Sequence, residues 1–62
     1  MEYLRKIDSW KNRHEKLILK DGDKVFYISA KAATSKASQE GKDLWLCSEG
    51  GNVFYILREK DS

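Results

Sequence analysis

Cysteine is nearly absent. Cys47 stands alone in 62 residues, so no disulfide closes within one chain and no cysteine-based zinc site can be assembled from it. That usage suits a reducing, cytoplasmic setting. Histidine is equally scarce: His14 is the one imidazole, and with Arg13 and Glu15 beside it no constellation for general acid–base work is visible. No apolar run approaches the roughly 20 residues that a membrane-spanning helix needs. The charged start Met1-Glu2-Tyr3-Leu4-Arg5-Lys6 also lacks the apolar core of a secretory signal.

Charge of one sign is scarce too. Twelve Lys and Arg face ten Asp and Glu, for a net charge of +2, and the excess sits in residues 1–31, with eight basic and five acidic side chains. A dedicated electrostatic binder of nucleic acid carries a denser basic stripe. Two glycine motifs fall short of ligand loops. Asp21-Gly22-Asp23 lacks the alternating oxygen ligands and distal Glu of a calcium loop, and Glu49-Gly50-Gly51 is too short to cradle phosphate. Both read as turns. These absences point to a soluble, complete, non-catalytic small protein with no cofactor, no metal and no membrane partner. At this length residues 1–62 make a single domain that buries about 60% of its unfolded surface, too little protein for a deep catalytic cavity.

What is present is a repeat. Val-Phe-Tyr-Ile occurs at Val25–Ile28 and again at Val53–Ile56, each time preceded, across a polar gap containing glycine, by a short apolar run. Those runs are Leu17-Ile18-Leu19 and Leu44-Trp45-Leu46. The chain therefore predicts two β-hairpins, over about 16–29 and 43–58, rich in residues that pack well on a pleated surface. The copies are not in perfect step: the tetrapeptides lie 28 residues apart and the leucine runs 27, a slip of one residue in the turn.

Ahead of the first hairpin, Tyr3, Leu4, Ile7, Trp10 and His14 recur at spacings of three and four, which predicts an amphipathic helix over about 2–14, its stripe interrupted by Lys11. Between the hairpins, residues 30–42 leave two readings open. Ala30, Ala33 and Ala37 fall at helical spacing and Gly41 stands where a C-terminal cap belongs, whereas the Ser and Thr content and the lack of a capping box favour a loop. The expected fold is α+β: the N-terminal helix packed on an antiparallel sheet of about four strands, with a short second helix or a loop as connector.

Alternation along the strands assigns Leu17, Leu19, Phe26, Ile28, Leu44, Leu46, Phe54 and Ile56 to the core. The other face then gathers Tyr27, Trp45 and Tyr55 with Lys16, Lys20 and Lys31. Aromatics concentrate at the centres of protein interfaces, so the leading expectation is a binding or regulatory protein that acts through protein contacts, with a partner or with itself, across that face. The alternative is a small nucleic-acid-binding module, since aromatic rings stack on bases and lysines pair with phosphates. A plainer reading competes with both, in which a second helix or self-association simply covers the face. Cys47 has no positive neighbour or base adjacent in sequence to activate it and reads as a packing residue.

Overall fold

The computed structural model describes residues 1–60. Its elements are strands β1 (Glu2–Lys6), β2 (Lys16–Asp21) and β3 (Lys24–Ser29), helix α1 (Ala30–Glu40), and strands β4 (Lys42–Glu49) and β5 (Asn52–Glu59). The expected domain end at residue 62 lies outside the described residues. The five strands form one sheet in the order β1-β4-β5-β2-β3.

Both expected hairpins are present, and both turn in two residues. Asp21 pairs with Lys24 across Gly22-Asp23, and Glu49 pairs with Asn52 across Gly50-Gly51. In the second turn both glycines hold positive φ, 57° and 84°, the conformation that matches the twist of the flanking strands and that side chains with a Cβ resist. The two hairpins do not join antiparallel. β2 and β5 run side by side in the same direction, with Leu19 opposite Tyr55 and Lys20 opposite Ile56, so the sheet is mixed. A parallel neighbour needs a crossover connection, and α1 supplies it.

The connector is helical because its ends and its inner face are all satisfied. Ser29 Oγ accepts from the Ala32 N–H at 3.1 Å, and Gly41 adopts the left-handed conformation that ends the helix (φ 65°, ψ 34°). The Ala30 and Lys31 N–H groups donate to the Glu15 and Arg13 carbonyls at 2.8 and 2.9 Å, so the first turn carries no orphan donors there. Ala30, Ala33 and Ala37 are the buried stripe, small enough to let the helix lie close on Leu17, Leu19, Leu44 and Leu57.

The N-terminal segment differs from expectation. Residues 2–6 are a strand paired antiparallel with β4, the register shifts at Leu4, and Ile7 extends the ladder by donating to the Leu44 carbonyl at 2.8 Å. Residues 7–15 are irregular, with a turn in which the His14 and Glu15 N–H groups donate to the Asn12 Oδ1 and carbonyl at 3.0 and 3.3 Å. The helix over 2–14 is therefore incorrect, and so is the four-stranded antiparallel sheet. The physical reason is the free edge of β4: its unpaired backbone groups offer a short segment a full ladder, whereas an isolated helix of that length is marginal. Ile7 and Trp10 still reach the core, but from a loop. Trp10 packs against Tyr55 with ring centroids 5.3 Å apart, and its indole N–H donates to Thr34 Oγ1 at 2.8 Å.

Candidate functional site

The helix covers one face of the sheet, and the pairing register determines which residues remain on the other. Ile18 pairs with Tyr27 and Lys20 with Val25 in the first hairpin; Cys47 pairs with Phe54 and Trp45 with Ile56 in the second. The β2–β5 seam sets Lys20 beside Ile56, and β1 sets Tyr3 beside Cys47. Reading across the sheet, Tyr27, Ile18, Phe54, Cys47 and Tyr3 form one row, and Val25, Lys20, Ile56 and Trp45 form the next. Neighbouring strands lie about 4.8 Å apart, so each row is continuous.

This face has an exposed rim and a closed floor. Tyr27 is 70% exposed, Val25 64%, Ile18 44% and Tyr3 43%, whereas Phe54 is 5% exposed and Cys47 fully buried. The Lys20 ammonium lies over the Phe54 ring, 4.0 Å from its centroid. At the far side Trp45 meets Tyr3 edge-on at 6.1 Å, and the Arg58 guanidinium stacks over both rings, 4.0 Å from Tyr3 and 5.0 Å from Trp45. Between the hairpins lies an open depression of about 570 Å3, lined by residues that include Ile18, Lys20, Val25, Asn52 and Phe54. A second, of about 280 Å3, continues past Lys20 and Phe54 to Ile56 and Met1.

Of the residues singled out in the sequence, Tyr27, Trp45, Lys16 and Lys20 share this face by register. Tyr55 does not. It faces α1, half-buried against Trp10 and the core, and Lys31 sits on the first turn of the helix. The reversal follows from the turn: two residues between partners make Leu46 face Tyr55 and Leu44 face Leu57, so Phe54 and Ile56 turn to the open face. Tyr3, Phe54, Ile56 and Arg58 were missed as members of it. The signal that could have found Phe54 and Ile56 is the unequal spacing of the two repeats, because a slip of one residue exchanges the faces of a strand.

Chemically the face presents aromatic and aliphatic side chains with two cations seated on rings. Burial pushes the Cys47 thiol up, with the Arg58 charge opposing, so the neutral, poorly nucleophilic form dominates. Burial also raises the Tyr55 phenol, with help from Glu15 and against Arg5. The densest charge cluster lies elsewhere, at the C-terminal end of the helix. There Lys36 and Lys42 each reach Asp21 (3.8 and 3.7 Å) and Glu40 (3.3 and 3.4 Å). Desolvation raises the Glu40 carboxyl, but its bonds to Asp21, Lys36 and Lys42 outweigh that and hold it below the usual carboxylate range. Among the described residues no group of three or more His, Cys, Asp or Glu side chains is arranged to hold a metal, and no helix is long and apolar enough to cross a membrane. No protein-family model, curated protein or solved structure matches this chain.

Proposed function

We propose that this chain is a non-catalytic binding or regulatory protein whose open sheet face docks on another protein. One observation carries the reading: Ile18, Val25 and Tyr27 form a contiguous exposed apolar patch on β2 and β3, with Tyr3 exposed at the far side of a packed floor, on the face that the helix leaves uncovered. Contiguous exposed apolar surface of this kind marks interaction sites in soluble proteins. A lone, buried thiol fits a cytoplasmic setting.

Nucleic acid is the second reading, favoured by Lys16, Lys20 and Arg58 on the same face as Tyr27. It is the weaker of the two. Lys20 and Arg58 are already seated on aromatic rings, Phe54 is too buried to stack on a base, and Asp43 opposite Arg58 brings negative charge to the same surface. The test is capture of partners from native extract by the tagged chain and by Ile18→Glu, each with and without nuclease. Protein capture that survives nuclease and is lost in Ile18→Glu supports protein docking. Capture that disappears with nuclease, or falls steeply with added salt, transfers the face to nucleic acid.

A further inference from the structure

The two edges of the sheet are built differently. β1 bears Arg5 and Lys6 and is broken by the register shift at Leu4, both devices that blunt an edge against further pairing. β3 has none of that protection. Its pairing with β2 is unbroken from Ser29 to Lys24, its one charged residue stands at the turn end, and it carries Val25 and Tyr27, the two most exposed large apolar side chains of the chain.

We propose that β3 pairs antiparallel with β3 of a second copy, joining two five-stranded sheets into one of ten strands across a two-fold axis at Tyr27. An antiparallel pair related by such an axis keeps each face on its own side, so residues of like parity meet. With Tyr27 on the axis, Val25 stands opposite Ser29 of the second copy, and Phe26 opposite its Ile28. No charged residue of the strand meets a like charge: Lys24 falls beyond Ser29 of the second copy, where its strand ends and its helix begins. A register centred on Phe26 is poorer, because the Lys36 ammonium lies 4.7 Å from the Phe26 ring and its counterpart would be brought up against it. The blunted β1 then explains why the assembly closes. Only one edge of each copy accepts a partner, so pairing ends at two chains instead of propagating into a fibre.

This dimer goes beyond the open-face reading: it uses the backbone edge and the Val25 and Tyr27 end of that face, and leaves the Ile18, Phe54 and Trp45 surface free. The test is sedimentation equilibrium of the full chain from about 10 μM to about 1 mM, beside Tyr27→Lys and, as a second exposed site, Val25→Lys. Mild oxidation of Tyr27→Cys and Val25→Cys provides the register. The expected results are a dimer for the parent chain and dimerisation weakened at least about ten-fold in Tyr27→Lys, where two ammonium groups meet on the axis. Tyr27→Cys should also give a disulfide-linked dimer far faster than Val25→Cys, because directly opposite Cα atoms lie about 4.5–5.5 Å apart, within disulfide range. A parent chain that stays monomeric, a Tyr27→Lys variant that dimerises as tightly as the parent, or Val25→Cys crosslinking as readily as Tyr27→Cys would each overturn the proposal. Loss of capture in Ile18→Glu with the dimer intact separates the fate of the two surfaces.

Discussion

The two hairpins spell the same tetrapeptide and use it in opposite ways. In β3, Phe26 and Ile28 turn toward the helix while Val25 and Tyr27 look outward; in β5, Tyr55 turns toward the helix while Phe54 and Ile56 look outward. Both phenylalanines end up beneath a lysine ammonium, Phe26 under Lys36 of the helix and Phe54 under Lys20 of the neighbouring strand. Identical residues thus acquire different neighbours because a strand has two sides: both turns take two residues, but one more residue separates Leu46 from its turn than separates Leu19 from the first, which exchanges the faces. Position in the sheet completes the contrast: β3 is an edge and β5 is central, so the same tyrosine is 70% exposed in one copy and packed on a tryptophan in the other.

The strongest way to break the comparison is at the seam that both hairpins share. Leu19 is fully buried and lies opposite Phe26 on one side and Tyr55 on the other. Leu19→Ala should cost about 2–5 kcal/mol, a large part of the roughly 3–9 kcal/mol available to a chain of this size. Urea unfolding followed by far-ultraviolet circular dichroism measures it, and a loss below about 1 kcal/mol would remove Leu19 from the centre of the core.

The tyrosines sharpen the comparison. Tyr55→Ala should destabilise by about 1.5–3 kcal/mol through lost burial and the lost ring contact with Trp10. Tyr27→Ala, measured at concentrations where the chain is monomeric, should stay within about 0.5 kcal/mol. Equal losses at the two sites would contradict the exchange of faces.

The smallest effect is alkaline. Cys47 and Tyr55, both in the second hairpin, are raised chiefly by burial, so the folded state holds their protons more firmly than the unfolded chain does. Their contribution to stability is intact below the unfolded values, near about 8.5 for a thiol and about 10 for a phenol, and is lost as pH rises through the higher folded values. Urea midpoints should therefore fall from about pH 9 upward, and Tyr55→Phe should flatten the upper part of that decline. An unaltered decline in Tyr55→Phe would show that this phenol is not among its causes.

Much of this architecture can be read from local chemistry. Gly22 and Gly50-Gly51 mark the turns and the runs around Leu17 and Leu44 mark strands, because each depends on residues close in sequence, while Ala30, Ala33 and Ala37 with Gly41 offer the observed helix as one of two open readings. The N-terminal strand is not legible in the same way. Tyr3, Ile7 and Trp10 show helical spacing, yet what decides their conformation is the free edge of β4, some forty residues away. The parallel seam is hidden for the same reason, since it depends on how α1 returns the chain. Within the candidate site, Tyr27, Trp45, Lys16 and Lys20 follow from alternation alone. Tyr55 goes astray because parity across a hairpin is set by the number of turn residues, which alternation within one strand does not reveal.

The short parallel seam also governs the order in which the molecule can be assembled. Leu19 and Lys20 are made early and meet Tyr55 and Ile56 only after the last strand exists. Closing so long a loop carries an entropic cost that local turns avoid, so the seam belongs to the late, slow part of folding. Until then each hairpin is a two-stranded ribbon, marginal in water by itself. A single cut within the helix would accordingly divide the molecule into two halves that gain order only in each other's presence.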